Sequence, residues 1–373
     1  HYDWFMDEFE AFTQTQELER AILQAADLLE KGDRAPIEKL IKDAVQISLT
    51  KDLGIDYFDD PKARLLAIRE NNGQISSGWA GLDRKLYGGF NRGNLIIFLG
   101  QLGSGKSLFL QNLAVNWLEA GMSGIIITLE LDEELTAMRL DSMVTGTHSK
   151  QIFKEIDDVE LKVKMKAKAL GNLQIKYMPA QSTVNDVRSY VQELKMRTGR
   201  DLDFICIDYL DLLMPVSIKV DPSNTFIKDK FVSEELRNLA KELNLVMVSA
   251  SQINRSGVEE DSFDHSMVSG GISKLYTADV SLGIHTSMAM RERGQYKLQI
   301  MKTRNSAGTG ENIDLDFNVD TMRISDSSIS GQSKGHSNSA ANILSGIKAK
   351  TTVAPTETGT KLTDLLSKMK KNK

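Results

Sequence analysis

The sequence predicts an α/β fold, with a mostly parallel central sheet covered by helices on both faces and a helical segment ahead of it. Two observations carry this. Between residues 77 and 325 short apolar runs alternate with amphipathic helical stretches, the texture of strands joined by crossover helices. One of those runs, Leu95–Leu99, leads into Gly100-Gln101-Leu102-Gly103-Ser104-Gly105-Lys106-Ser107, the pattern GxxxxGK[ST], and an apolar helical stretch follows it up to Leu118.

Composition bounds the class. The chain has 373 residues and a net charge of −5, with 41% hydrophobic and 26% charged residues. These are ordinary values for a globular protein with room for one large domain with appendages, or for two. No apolar run reaches the roughly 18–20 residues that span a bilayer, and the charged, aromatic N-terminus is not a signal peptide. Cys206 is the single cysteine and lies in an apolar run, which excludes an intrachain disulfide and fits a reducing compartment. The expected location is therefore the cytoplasm, with no membrane partner. A first residue of His1 rather than Met suggests part of a longer protein. Charge is uneven: residues 1–60 hold 15 acids against 6 bases, whereas residues 326–373 hold 8 lysines against 3 acids. Any basic surface in the near-neutral middle must be local.

Taken in order, residues 1–33 read as a helix, with Leu18, Ile22, Ala25 and Leu29 at helical spacing. Asp33 and Pro36 open a second helix carrying Ile37, Leu40, Ile41, Ala44 and Val45. These acidic helices (1–50) either pack on their own domain or dock as an arm on a neighbouring subunit. Residues 51–76 read as a connecting linker with a short helix near 63–70. In the body (77–325), strands are expected at 95–99, 124–129, 173–178, 203–208, 245–251, 279–285 and 297–301. Helices are expected at 106–120, 133–144, 158–169, 183–198 and 232–243. A further strand at 312–318 closes an antiparallel hairpin across the Gly/Ser/Asn stretch 305–310. Residues 326–373 have the composition of a disordered tail, ending in a short basic amphipathic segment that is either solvated or a tethered recognition element.

Chemistry gathers at the predicted strand ends. In the loop Gly100–Ser107, the glycines allow backbone N–H groups to surround a phosphate, and the following helix N-terminus adds positive potential. Lys106 is placed to reach β/γ-phosphate oxygens, the Ser107 hydroxyl to ligate Mg²⁺, and Leu108 to continue the nucleotide contact. Asp208, closing Phe204-Ile-Cys-Ile-Asp208, suits the acid that holds the Mg²⁺ shell. Glu130, closing the run from Gly124, either activates the attacking water or belongs to the solvated acids Asp132, Glu133 and Glu134 at the next helix start. Gln252 is either a γ-phosphate sensor or a turn residue. Lys302 and Arg304 leave one face of a strand, either as cations for a phosphoryl transition state or as salt-bridged surface residues. If they act in trans, nucleotide sits at subunit interfaces. The polar stretch 254–271 and the residue Lys274 suggest backbone-tracking contacts to nucleic acid by Arg255, Ser269, Gly270, Gly271 and Lys274. His265 and His285 lack metal-ligand spacing and read as structural.

In this order the motifs resemble the RecA-like motor domain of DnaB-family hexameric replicative helicases, and within that family the helicases of T-even-type tailed bacteriophages. Ser77-Gly-Trp-Ala-Gly-Leu-Asp83 with Gly88-Gly-Phe90 is similar to the family's lead-in. Thr128-Leu-Glu130 is similar to its catalytic glutamate segment, and Ile207-Asp-Tyr-Leu210 to its metal-site strand. Ser251-Gln-Ile-Asn-Arg255 is similar to its sensor segment, and Lys302-Thr-Arg-Asn305 to its finger pair. The resemblance implies a homo-hexameric ring that encircles single-stranded DNA and moves along it by hydrolysing ATP or GTP with Mg²⁺. It also implies partners of the primase, helicase-loader and single-strand-binding classes, in the cytoplasm of a bacterial host if phage-encoded. The stretch 266–274 departs from the usual bacterial wording of the DNA loop, so the resemblance does not fix its contacts. Two other readings stay open, a RecA/KaiC-type recombinase or regulatory ATPase, and a nucleotide-gated scaffold.

Overall fold

A computed structural model describes residues 2–30, 37, 55, 57–71, 73–221, 224–253, 272–304 and 306–327. The chain forms two compact units, 1–66 and 67–373. Within the first, helix α1 spans Tyr2–Glu30, and it buries Ala21 and Ala25 while leaving Ile22, Leu23 and Leu29 exposed. The second expected helix, at 36–45, lies outside the described residues, as does the tail beyond 327. Helix α2 (Pro61–Asn71) begins two residues before the expected 63–70, because Pro61 supplies a preset φ for a first helical turn and Asp60 caps the N–H of Ala63 at 2.9 Å.

In the second unit the described elements run α3 (Ala80–Lys85), β1 (Leu95–Gly100), α4 (Lys106–Glu119), β2 (Gly124–Thr128), α5 (Glu133–Thr145), α6 (Ile156–Lys166), β3 (Leu173–Tyr177) and α7 (Val184–Thr198). They continue with β4 (Phe204–Asp208), α8 (Thr225–Glu242), β5 (Val246–Gln252), α9 (Ile272–Thr277), β6 (Val280–His285), α10 (Met288–Glu292), β7 (Gln295–Thr303), β8 (Asn312–Asn318) and β9 (Arg323–Asp326). The nine described strands form one sheet in the order β3-β2-β4-β5-β1-β6-β7-β8-β9. Strands β1 to β6 pair in parallel, and β7, β8 and β9 extend the sheet antiparallel.

Strand periodicity builds two cores. Successive side chains of a strand point to opposite faces, so Ile96 and Phe98 join one apolar cluster with α4, while Leu95, Ile97 and Leu99 join the other with α7 and α8. A sheet buried on both faces needs unbroken apolar runs rather than alternation, and β1, β2 and β4 are such runs, with every residue buried. The lead-in Ser77–Asp83 closes the far edge. Trp79 is fully buried, and its Nε1 donates to the Ile324 carbonyl at 3.1 Å. Asp83 accepts from the Ser77 N–H at 2.8 Å and the Ser77 hydroxyl at 2.7 Å, while burial pushes its carboxyl up. Ile75 already lies in this core and bridges Phe90, two residues ahead of the expected domain start at 77.

Several elements differ from the sequence expectation, among them the short helices α3, α9 and α10, which were not expected. Strand β9 was not expected: it is four residues long with Ile324 alone buried, too short for a periodic signal. Helix α8 starts at Thr225 rather than 232, because Asn224 caps it by accepting from the N–H of Ile227 at 3.4 Å. Its first turn is exposed at Thr225, Phe226 and Ile227, while Lys228 and Asp229 behind it are buried as a pair.

Candidate active site

Parallel strands bring their C-terminal ends to one edge, where open α/β sheets place ligand chemistry. Register fixes which residues meet there: Gly100 of β1 lies beside Gln252 of β5, and Thr128 of β2 beside Asp208 of β4. Gly105, the N-cap of α4, has φ 92°, and a Cβ there would meet the Tyr296 hydroxyl at 2.8 Å, so the turn requires glycine on both counts. A cleft of about 390 Å³ opens over the loop, lined by Gly103, Gly105, Lys106, Ser107 and Leu108 together with Glu130, Arg139, Tyr209 and Gln252. Leu102 also lines it, whereas the Ser104 side chain is buried beneath.

Within the cleft, Lys106 Nζ donates to the carbonyls of Gly100 (3.2 Å) and Gln101 (3.0 Å). Burial lowers its ammonium below the ordinary lysine value, opposed by the charges of Asp211, Asp208 and Glu130. Such a cation is held by weak acceptors and gains most from an incoming polyphosphate. Ser107 Oγ donates to Asp208 Oδ1 at 3.0 Å. Asp208 is 4% exposed, and burial raises its carboxyl above the ordinary aspartate range, with Arg139 and Lys106 opposing. The Asp208–Tyr209 peptide is cis. Glu130 and Gln252 are exposed at their strand tips and face the cleft.

Lys302 and Arg304 lie elsewhere. Strand β7 runs antiparallel to β6, so its end returns to the opposite edge of the sheet, and the Arg304 N–H donates to Asp279 O while the Asp279 N–H donates to Leu95 O. Arg304 is thus level with Leu95, five residues back from Gly100, or about 17 Å along the strand. Lys302 Nζ donates to the carbonyls of Tyr276 (2.5 Å) and Ala278 (2.8 Å), and burial, with Arg304 beside it, lowers its pKa to about 8. Arg304 Nε lies 3.3 Å from Asp279, which Arg237 also grips with two nitrogens. Arg304 is therefore ion-paired and Lys302 is bonded to backbone carbonyls within one chain, and neither lines that chain's own cleft.

Lys274, expected as a nucleic-acid contact, has protein partners for its ammonium. It is 3% exposed, contacts Asp211, and lies 2.5 Å from Asp229 and 2.6 Å from the Ser251 hydroxyl. Arg255, Ser269, Gly270 and Gly271 lie outside the described residues, as does His265. His285 is 2.9 Å from Gln299 across β6 and β7, in keeping with a structural role. Sequence reasoning missed Arg139, Arg237, Asp211 and Asp229. Asp211 interrupts an apolar run, Asp229 lies between two lysines, and Arg139 and Arg237 sit in amphipathic helices, so only the far-off partner gives each its meaning.

This loop, acid pair and sheet order define a P-loop nucleotide-binding domain of RecA-like fold. The chain belongs to the DnaB-like helicase C-terminal domain family, whose model matches residues 74–326. It is 25% identical over 325 residues to the DnaB-like replicative helicase of Enterobacteria phage T4, covering 81% of this chain and 68% of that protein. It is 27% identical over 267 residues to the replicative DNA helicase DnaB of Rickettsia bellii, covering 67% of this chain and 49% of the relative. The chain thus spans about half the length of that bacterial relative. Its fold is shared with a solved DnaB-like replicative helicase described with its interactions with primase, at TM-score 0.65 and 20% identity over 83% of this chain and 76% of the other.

Proposed function

We propose that this chain is the motor portion of a replicative DNA helicase, hydrolysing ATP or GTP and translocating on single-stranded DNA as a homo-hexameric ring. One observation carries the reading: the phosphate loop, Asp208, Glu130 and Gln252 share one edge of the sheet, while Lys302 and Arg304 stand on the other. A site that needs both sets closes only between two copies, and a ring is the closed form of such head-to-tail contacts. Glu130 orients and deprotonates the attacking water, Gln252 senses the γ-phosphate, and the neighbour's Lys302 and Arg304 neutralise transition-state charge. No finding favours the recombinase or scaffold readings.

Mg²⁺ fits the residues present. The Ser107 hydroxyl and the Asp208 carboxylate are hard oxygen donors in contact with each other, and no cluster of three or more metal-binding side chains occurs among the described residues. That sparse donor set matches an ion that keeps waters and takes phosphate oxygens. Bound there, it would neutralise charge on the β- and γ-phosphates.

In the ring, α1 acts as the arm that docks on the next copy. The exposed apolar side chains Phe153, Ile156, Leu161 and Met165, beside the lysines of α6, suit an arm of acidic sequence with exposed apolar side chains at Ile22, Leu23 and Leu29. No described helix is long and apolar enough to cross a membrane. The working location in this reading is the cytoplasm, that of a bacterial host if the chain is phage-encoded. Primase, a loader and a single-strand-binding protein are the partners in view, with the basic C-terminal segment as one point of attachment. A strand-displacement assay on forked duplexes with a 5′ or 3′ tail tests the proposal. ATP-dependent unwinding on one polarity is the expected result, and hydrolysis indifferent to single-stranded DNA with no unwinding would refute it.

A further inference from the structure

Asp279 stands just before β6, at the edge of the sheet remote from the phosphate loop, and its side chain is only 5% exposed. Three groups converge on it. The Leu95 N–H, at the start of β1, donates to Oδ2 at 3.0 Å. The Arg237 guanidinium of α8 donates through Nε to both carboxylate oxygens at 3.0 Å and through a second nitrogen to Oδ1 at 2.8 Å. Arg304 Nε lies 3.3 Å from the same Oδ1. The main chain repeats this last link, because the Arg304 N–H donates to the Asp279 carbonyl at 3.0 Å. A terminal nitrogen of Arg304 donates to the Tyr276 carbonyl at 2.9 Å, an acceptor it shares with Lys302.

Two properties set this apart from an ordinary surface ion pair. The first is fixity. An exposed pair of mobile side chains contributes little, and 43% of the Arg304 side chain is exposed. Its anion, however, is buried and bound to backbone and to a two-pronged guanidinium, so it cannot follow Arg304 into solvent. The second is charge. One carboxylate serves Arg237 and Arg304, with the Lys302 ammonium beside them, so the group stays net positive. A one-to-one pair would cancel the Arg304 charge; here Arg237 already occupies both oxygens. A cation that is held still without being neutralised needs no reorganisation when it meets developing negative charge.

We propose that Asp279, clamped by Arg237, is a positioning residue for hydrolysis at the neighbouring copy, holding Arg304 in place while leaving it positive enough to meet that copy's triphosphate. This rests on the shared-site reading above. The competing role is a pin that only ties the starts of β1 and β6 to α8, and loss of a pin would damage the subunit that carries it.

The test measures ATP turnover of the full chain for Asp279→Asn, alone and mixed with Lys106→Ala, with binding of a fluorescent ATP analogue and thermal melting alongside. Alone, Asp279→Asn is expected to lower kcat by about tenfold or more, since a small misplacement of a group at a reacting centre is costly. Analogue affinity stays near wild type, because the variant's own loop is intact. The mixture separates the two roles. Lys106→Ala subunits lack a working loop but keep the Asp279–Arg304 pair, so in mixed rings they offer a well-held Arg304 to the loops of Asp279→Asn subunits. Turnover per intact loop then rises severalfold above that of Asp279→Asn alone. A mixture no better than Asp279→Asn alone, or a wild-type kcat in folded Asp279→Asn rings, overturns the proposal. Arg304→Ala mixed with Lys106→Ala is the control. If the control recovers and Asp279→Asn does not, only the positioning role falls; if the control fails as well, the shared site falls and the proposal with it. Should Asp279→Asn not fold, Arg237→Gln removes the clamp at a partly exposed side chain, and the same outcomes are read from it.

Discussion

Ser107 Oγ and Asp208 Oδ1 lie 3.0 Å apart although 101 residues separate them in the chain. The contact exists because β1 and β4 both flank β5 and end at one edge, so the start of α4 and the tip of β4 face each other. Residues that act as a unit lose their effect together. Ser107→Ala and Asp208→Asn are each expected to lower magnesium-dependent ATP turnover by about 100-fold. The double variant should be no slower than the worse single, which steady-state kinetics of the three proteins will show. Multiplying losses would mean separate roles.

Lys106→Ala is expected to abolish turnover by a comparable factor of about 100, with nucleotide affinity reduced as well. Its ammonium rests on two loop carbonyls, weak acceptors that a triphosphate replaces with anionic oxygens. Equilibrium binding of a fluorescent ATP analogue checks the second half of this expectation.

Lys302 gives a pH signature. Its folded pKa of about 8 lies below the ordinary lysine value of 10.5. Between those values the unfolded chain binds more protons than the folded one, so stability rises with pH across that window, and the burial penalty applies in full below it. Activity runs the other way. If the charged ammonium serves the neighbour's triphosphate, kcat/KM falls as pH passes about 8. Lys302→Arg keeps its charge and should abolish that fall, which a pH profile of both proteins will reveal.

Helix α7 offers a stability test away from the chemistry. Thr183 and Asp186 form a reciprocal capping box, the Asp186 carboxylate accepting from the Thr183 N–H at 2.7 Å and the Thr183 hydroxyl accepting from the Asp186 N–H at 3.2 Å. Thr183→Ala is expected to cost about 1 kcal/mol in urea unfolding, with turnover unchanged.

Much of this was legible in the sequence, for physical reasons that differ by element. Strands β1, β2 and β4 announce themselves because a doubly covered sheet demands unbroken apolar runs. The phosphate loop does so because its glycines, lysine and serine have few substitutes. Charged residues were harder to read. Lys274 in a polar stretch looks solvent-facing until Asp211 and Asp229, 63 and 45 positions earlier, are seen to enclose it. Arg139 looks like the polar face of α5 until the sheet places Asp208 nearby. Lys302 and Arg304 were visible as a pair, but only the antiparallel return of β7 puts them at the edge remote from their own phosphate loop.

That separation is the centre of the account, and mixing two inactive variants tests it most directly. A Lys106→Ala subunit lacks a working loop but still presents Arg304, while an Arg304→Ala subunit lacks the finger but keeps the loop. If each site draws on two neighbours, rings assembled from both variants recover ATP turnover that neither has alone, at the interfaces where an intact loop meets an intact Arg304. Mixed rings as inactive as the separate variants would contradict the shared site.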